Sequence, residues 1–504
     1  MAALDYDIVI VGSGAAGGLL AERLSTLCRQ GARIALLEAG PFYTRDHFNQ
    51  REDEMSKLFW ARGAFYARDG SLSVAMGRCV GGSTTVYTAI TFRTPRSVLE
   101  GWQRHYGLEE LDPGNLDARF ARIERELEVR EMPEERVNEN NRLFRAGCQA
   151  LGWKCLPLRL AATLECNGCG FCNLGCWNGS KKSTLEVHIP RALAQGVELI
   201  PNCQVEQVSE SAVHATVSTA PAGTAAGPTP PGPLEIRARL ILLAAGALHS
   251  PAILLRSPLR MKSPTLGRFI TLHPAVTLSA ILPHEVLGFG GYPKTFYTEE
   301  FAQSHHYLIE TAFYFPGVTA KNLSGFGLQH KEWMKQYRRF MSVIVLELDK
   351  PEGRNRVSVS RQGGPVLHYR LSKQSVGHLV HSMRSASKIF FAAGAETALI
   401  PASHTGTVRA TSREADLEEQ IHPRFFRRGL APIASAHPQG GCRMGRSIET
   451  SVVDSYGRLH GARNIFVCDA SVFPTSVELN PYLSVMAIAD RTADYLRSNI
   501  AEWI

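Results

Sequence analysis

Apolar residues recur along this chain in two rhythms, one of strands and one of helices. Asp7-Ile-Val-Ile-Val11 is a continuous apolar run rich in β-branched residues, the pattern of a buried strand. From Gly18 to Leu27 the spacing is helical, and Ala32 to Leu37 is a second strand-like run ending in Glu38. Arg96 to about Glu135 is charged and helical in period, broken at Pro113-Gly114 and Pro133, and predicts a helical cap. Strand pattern returns after Ser183, at Val197–Ile200, Gln204–Val208 and Arg239–Ala244. Between the last two, Thr219 to Pro233 is rich in Pro, Gly and Ala. The sheet pattern resumes beyond it, so it predicts a hairpin extension rather than a linker. Thr271 to Glu347 mixes aromatics, histidines and short strands, Val357 to Leu371 alternates, and Ser375 to Ala392 reads as an amphipathic helix. Asn464-Ile-Phe-Val-Cys-Asp469 reads as a buried strand ending in an acid. A last helix opens at Asn480-Pro481 and runs to about Tyr495, with Asn480 suited to the N-cap and Pro481 to the first turn.

The glycines between these elements carry candidate chemistry. Gly12-Ser-Gly14-Ala-Ala-Gly17 lies between the first strand and the first helix, with Glu38 about twenty residues on, as a dinucleotide fingerprint requires. Gly12 permits the sharp turn, Gly14 the approach of a pyrophosphate, and Gly17 close packing of helix on strand. The helix N-terminus offers N–H donors, and Glu38 can accept from ribose hydroxyls while repelling a 2′-phosphate. The motif itself is compatible with NAD or FAD. Gly77-Arg-Cys-Val-Gly81-Gly82-Ser-Thr84-Thr85 is a second stretch whose paired glycines let backbone lie against a flat or charged ligand. Gly246-Ala-Leu-His-Ser250 reads as a turn into a helix. Near the C-terminus, His437 heads the Gly-rich loop His437-Pro-Gln-Gly-Gly-Cys-Arg-Met-Gly445.

Composition narrows the class. At 504 residues with 44% hydrophobic and 20% charged positions, the chain is that of an ordinary globular protein of two or three units. A net charge of +8 without a dense Lys/Arg run argues against a nucleic-acid binder. The short patches Arg338-Arg-Phe340 and Arg424-Phe-Phe-Arg-Arg428 read as solvated faces. No stretch reaches the ~18 apolar residues of a membrane span, and a cytoplasmic enzyme is the expectation. Eleven cysteines, an odd number with four bunched together, argue against a secreted disulfide framework.

Those four are Cys166, Cys169, Cys172 and Cys176, in the C-x2-C-x2-C-x3-C spacing of ferredoxin-type runs, with Trp177 where Pro would follow. Three readings stand side by side: an iron–sulfur cluster, a zinc site, and a loop of packed thiols. In two-cluster ferredoxins the fourth cysteine serves the other cluster, and no second run exists here.

In order along the chain, Gly12 to Gly17 with Glu38, Gly77 to Thr85, Gly246 to Ser257, and His437 through Asn480-Pro481 resemble the glucose–methanol–choline (GMC) flavoprotein oxidoreductases. Arg78 to Thr85 with Phe92-Arg-Thr-Pro95, Cys169-Gly-Phe-Cys172 with Gly175-Cys176, and Leu272-His-Pro274 most resemble the long-chain (fatty) alcohol oxidases of that family. A His…Asn pair is similar to that of bacterial cholesterol oxidases. The resemblance implies FAD as the dinucleotide. It implies His437 as catalytic base and Asn480 as its partner on the substrate oxygen. Asp469 matches a position near the pyrophosphate and ribityl chain, and Val205 one whose backbone meets adenine. Pro481 and Tyr482 open the helix whose N-terminus faces reduced flavin. Val86 stands where members with covalent flavin carry His, which implies non-covalent FAD; Tyr87 replaces the Asn common in the family.

The expected fold is α/β, with a discontinuous Rossmann-like FAD-binding domain from 1–95, 183–260 and 430–504. Residues 96–182 form the helical cap and cysteine segment, and 261–429 an inserted α+β substrate domain on an antiparallel sheet. The expected activity is oxidation of a largely apolar alcohol, with Phe289, Tyr292, Phe313, Tyr314 and Phe315 as candidate lining. The electron acceptor is O2 or a partner electron-transfer protein. A lyase on the same fold, and an electron-transfer subunit using the cysteine run, are the competing classes.

Overall fold

The computed structural model describes residues 2–323, 325–401, 409–426 and 430–504. Arg427 and Arg428 of the second basic patch lie outside them.

Two sheets organise the chain. In the first, five strands run parallel: Glu198–Ile200, Ile34–Leu37, Ala2–Val11, Gly232–Leu243 and Ile465–Val467. Cys203–Val208 and Ala212–Val217 complete it on the antiparallel side. The leading strand is longer than its apolar run because it pairs with Gly232–Leu243 from Ala2 to Val11. Register brings Val11 opposite both Leu37 and Leu243, and Leu243 opposite Val467. The carboxyl ends of these four strands therefore lie level, and Gly12, Glu38, Ala244 and Cys468 follow them. Ligands of open α/β sheets bind at this edge.

Among the described residues the second sheet has nine strands and is antiparallel through its centre. Ala275–Ile281 pairs with Phe340–Glu347, which pairs with Tyr307–Thr311. Side chains alternate along Ala275–Ile281. Val276, Leu278 and Ala280 join a buried cluster with Leu379, Met383 and Phe390 of the helix Lys373–Ala392, while Ala275 and Thr277 face a cavity. Leu72–Val74 and Leu156–Pro157, both far upstream, are strands of this sheet as well.

Most expected elements form, with shifted ends. The first helix is Ala15–Leu24, followed by a 3-10 turn Ser25–Gln30 that stops at Gly31. Pro113 starts a helix rather than only breaking one, because Asp112 accepts from Asn115 N at 2.7 Å and caps Pro113–Glu126. Thr219 to Pro233 connects the antiparallel strands Ala212–Val217 and Gly232–Leu243, as a hairpin does. The last helix is Tyr482–Ser498, with Pro481 itself at the cap and no side-chain cap bond. Asn480 is therefore not the cap, and its amide makes no hydrogen bond among the described residues.

One buried carboxylate joins three helices. Asp490, on Tyr482–Ser498, has a fully buried side chain. It accepts from Arg23 Nε at 2.7 Å, from Arg119 Nη1 at 2.6 Å and from Arg122. Arg23 lies on Ala15–Leu24, and the other two on Pro113–Glu126. Removing the carboxylate takes the acid partner from Arg122 and leaves Arg23 with Glu22 and Glu126 and Arg119 with Asp494, at a cost of at most about 3–5 kcal/mol. Asp490→Ala should lower the apparent melting temperature by several degrees, while Asp494→Ala, whose carboxylate is one-third exposed, should change it little. Thermal melts of the two variants check this.

Candidate active site

The level strand ends open into a cavity of about 800 Å³ that runs from the first sheet to the underside of the second. At one end, Gly12 turns with φ +97°, and a Cβ there would lie 2.5 Å from Ala244 O. A Cβ on Gly17 would lie 1.7 Å from Gly12 O, so the helix touches the strand end directly. Gly14 differs: nothing lies within 4 Å of where its Cβ would be, and its backbone borders the cavity.

Glu38 is buried, 6% exposed. Its carboxylate accepts from Ser13 N at 3.1 Å, Ser13 Oγ at 2.6 Å and Gly40 N at 2.8 Å. Burial raises its pKa against those bonds. Ser13 Oγ also accepts from Gly81 N at 3.0 Å, which ties the second Gly-rich stretch to the first. A Cβ on Gly82 would lie 2.8 Å from Gly14 Cα, and one on Gly77 2.4 Å from Gly82 O. Thr84 Oγ1 donates to Gly81 O and Thr85 Oγ1 to Val80 O. Gly77, Gly82 and Thr84 border the cavity, while Gly17, Gly81 and Thr85 support it from behind.

Val205 lies at the far end, beside a slip in the strand register before Gln207. Gly246 and Asp469 meet in the middle. Asp469 is 4% exposed and accepts from Gly246 N at 2.8 Å, Ser250 Oγ at 2.5 Å and Ser471 N at 2.8 Å. Val86, Tyr87, Pro481 and Tyr482 close the opposite side. The Tyr87 hydroxyl donates to Lys182 O, and its ring meets that of Tyr482 edge-on at 4.9 Å.

His437 and Asn480 open onto the same cavity below the second sheet. His437 Nδ1 lies 3.2 Å from His273 Nδ1, and His273 Nε2 lies 2.5 Å from Ser476 Oγ. His273 takes φ +50°, unusual for a residue with a Cβ. Asp349 fixes it there by accepting from Leu272 N and, at 2.8 Å, His273 N, and from Tyr369 OH at 2.6 Å. Burial pushes His273 down to about 3. Burial, then His273 and Lys294, hold His437 well below the usual histidine value. Both rings are neutral at pH 7.

Several residues here escaped the sequence reading. Ser13 sits inside the fingerprint at a position the motif leaves open. Lys294 is 7% exposed and pairs with buried Glu310 at 2.8 Å; neither has a motif around it. His273 lies in the quoted Leu272-His-Pro274, but its contact with His437 depends on the fold. His249 borders the cavity, stacked on Trp60 at 4.2 Å. Of the five aromatics, Tyr314 and Phe315 line the cavity. Phe313 packs in a separate cluster, Phe289 is partly exposed and stacks on Tyr337, and Tyr292 is buried near the cysteines.

The family models for the N-terminal and C-terminal parts of GMC oxidoreductases match residues 6–275 and 351–489. The chain belongs to the GMC oxidoreductase family. Over 97% of its length it is 30% identical to an uncharacterized GMC-type oxidoreductase of Mycobacterium tuberculosis, of which it covers 75%. It is 26% identical to a long-chain-alcohol oxidase of Arabidopsis thaliana, over 99% of this chain and 67% of that protein. In fold it is similar to pyridoxine 4-oxidase from Mesorbium loti, with a TM-score of 0.71 at 18% identity over 98% and 99% of the two chains. A structure of Aspergillus oryzae formate oxidase, solved for the effect of a mutation on FAD modification, gives a TM-score of 0.72 at 14% identity over the whole of both chains. This GMC chain is an oxidoreductase, and its cofactor is FAD.

The residues present fit that cofactor. The open side of Gly14, at the N-terminus of Ala15–Leu24, leaves room for a pyrophosphate where neighbouring glycines leave none. Gly14→Val should therefore fold with a near-normal melting temperature yet carry at least tenfold less flavin per chain. Gly17→Ala should instead lose stability, by roughly 3 kcal/mol or more, because the added carbon meets backbone. Absorbance of the bound flavin and thermal melts separate the two outcomes.

Proposed function

We propose that this protein oxidises an alcohol to an aldehyde or ketone, with His437 as base and Asn480 as the ligand of the substrate oxygen. The observation that carries this reading is the pairing of His437 Nδ1 with His273. A hydrogen bond at one ring nitrogen decides the state of the other. The base role requires the tautomer in which His273 Nε2–H donates to Ser476 Oγ, which also accepts from Glu478 N at 3.0 Å. The Gln439 amide nitrogen lies 3.4 Å from the same His273 nitrogen and donates to His437 O. His273 Nδ1 then accepts the proton of His437 Nδ1, and His437 Nε2 keeps its lone pair for the cavity. The chemistry that FAD supplies when bound is acceptance of the carbinol hydride. His437 takes the hydroxyl proton, and the Asn480 amide, committed to no other group, orients the oxygen.

An apolar substrate suits the cavity, whose upper wall includes Phe315, Ile344 and Leu346. The Lys294 charge is offset by Glu310. The Arabidopsis long-chain-alcohol oxidases are 26–27% identical to this chain, which supports the same class. O2 or a carrier protein serves as final acceptor in this reading. A cytoplasmic setting belongs with it, since all eleven cysteines are unpaired, as a reducing compartment keeps them.

His437→Ala should purify yellow yet be reduced by alcohol at least ~100-fold more slowly under anaerobic conditions, the lower end of what a positioned base contributes. Raising the pH should restore part of the rate, because a pre-formed alkoxide needs no base. Asn480→Ala should lose less, since a neutral hydrogen bond is worth about 0.5–1.5 kcal/mol. Near-normal flavin reduction in His437→Ala would refute the assignment. An alcohol panel that never bleaches the flavin would favour a lyase.

The pH profile is a separate test. His437 has its pKa lowered, so the neutral base persists as pH falls through 6.5, the ordinary histidine value. The anaerobic reduction rate should stay flat through that range and fall only in more acid solution. A half-drop near pH 6.5 would count against this base.

Val86 offers no nucleophile to the flavin. Acid denaturation should release yellow FAD into the supernatant, and colour retained in the precipitate would show a covalent link.

A further inference from the structure

The four bunched cysteines occupy one winding segment beneath the loop that carries Thr85 and Tyr87. Gly168, Gly170, Gly175 and Gly179 all take positive φ there, so the chain turns back on itself. Cys166 packs against Cys172, and Lys181 bridges Cys172 and Cys176, with its ammonium on the Cys172 carbonyl and its backbone N–H on the Cys176 sulfur. None of the four is in a disulfide. The Cys176 sulfur accepts from Lys181 N at 3.3 Å.

Two buried polar groups face these sulfurs. Lys181 is 2% exposed. Its ammonium donates to the carbonyls of Thr85 at 2.7 Å, Tyr87 at 3.0 Å and Cys172 at 2.5 Å, with no carboxylate among its partners. Carbonyl dipoles solvate an ammonium there but do not neutralise it, and burial lowers the Lys181 pKa. Tyr292 is 4% exposed and its hydroxyl has no hydrogen-bond partner. Tyr292 packs in one small buried cluster with Cys172 and Cys166. An anionic centre held by thiolates would supply both the counter-charge for Lys181 and the acceptor for Tyr292.

Spacing decides which centre. Four thiolates on one zinc, each at ~2.3 Å from the metal, stand roughly 4 Å apart. No three of these sulfurs lie within 4.8 Å of one another. A cluster of several irons and sulfides spreads its thiolates wider, and the sequence spacing is of that kind. We propose that Cys166, Cys169, Cys172 and Cys176 hold one iron–sulfur cluster, packed against Lys181 and Tyr292. Asn173 and Leu174, between the last two ligands, border the FAD cavity. Resting on the alcohol reading above, a cluster held there would supply a one-electron relay. The two electrons taken from each alcohol leave singly to two equivalents of a one-electron carrier, and two protons go to water.

The site is tested without substrate. Protein purified anaerobically should contain iron and acid-labile sulfide in equal amounts, roughly two or four of each per chain. Reduction by dithionite should give a low-temperature paramagnetic signal distinct from that of flavin. Cys172→Ser should lose at least tenfold of the iron and keep its FAD, and Cys169→Ser provides the same test if Cys172→Ser does not fold. Tyr292→Phe should keep the iron but move the cluster potential negative, because a donor to the sulfurs is lost. Zinc in place of iron, a metal-free chain with full flavin and an unchanged melting temperature, or a Cys→Ser variant that retains its iron would overturn the cluster. If the cluster is present, loss of turnover with ferricyanide in Cys172→Ser supports the relay. An unchanged ferricyanide rate would overturn the relay alone, and failure of alcohol to reduce the flavin would overturn the alcohol reading alone.

Discussion

The site depends on how closely one helix can approach the end of one strand. A Cβ on Gly17 would fall 1.7 Å from Gly12 O, and one on Gly12 would fall 2.5 Å from Ala244 O. Three segments thus meet through bare backbone. Because Val11, Leu37, Leu243 and Val467 lie in register, the residues after them converge without further instruction. Glu38, Gly246 and Asp469 come from distant parts of the sequence, yet the parallel ladder delivers them to one edge. The second Gly-rich stretch then leans on the first, since Gly82 approaches Gly14 as closely as two backbones can.

Buried carboxylates hold this geometry and are matched mainly to backbone N–H groups. Glu38 binds Ser13 and Gly40, Asp469 binds Gly246 and Ser471, and Asp349 binds Leu272 and His273. Each would be costly if unpaired, so each fixes its loop in one conformation. The acids therefore shape the cavity, and His437 and Asn480 are among the residues that face it. A left-handed backbone at a residue other than glycine costs of order 1–3 kcal/mol and persists where its surroundings over-determine it. At His273 that surrounding is Asp349, itself bound by Tyr369.

Much of this was legible in the chain because the motifs are local. Gly12 to Gly17 and Glu38 reveal a strand, a turn and a helix through spacing alone, and the family resemblance carried His437 and Asn480. Contacts made only by tertiary packing were not legible. Nothing near Lys294 marks it as a cavity residue, since its orientation follows from its pairing with Glu310 sixteen residues away. The aromatic run around Phe313 misled for a related reason. Phe313 packs with Leu323 and Phe340 in a separate buried cluster, while Tyr314 and Phe315 turn to the cavity. The end of the last helix was shifted by one residue, because Pro481 takes the cap position and leaves Asn480 outside it.

That one-residue shift bears on how the site is built. Asn is among the strongest N-caps, and a cap is worth about 0.5–2 kcal/mol over Ala. Here the helix Tyr482–Ser498 has no side-chain cap although Asn480 stands two residues before it. A capping amide would occupy the helix N–H donors and place an oxygen over the positive end of the dipole. Left uncapped, that end keeps its donors and its partial positive charge at the cavity wall formed by Pro481 and Tyr482. The same arrangement leaves the Asn480 amide uncommitted, so an uncapped helix and an unpaired side chain have a single structural cause. Stability is lower at this end of the helix, and the Asp490 cluster two turns further on anchors it from below.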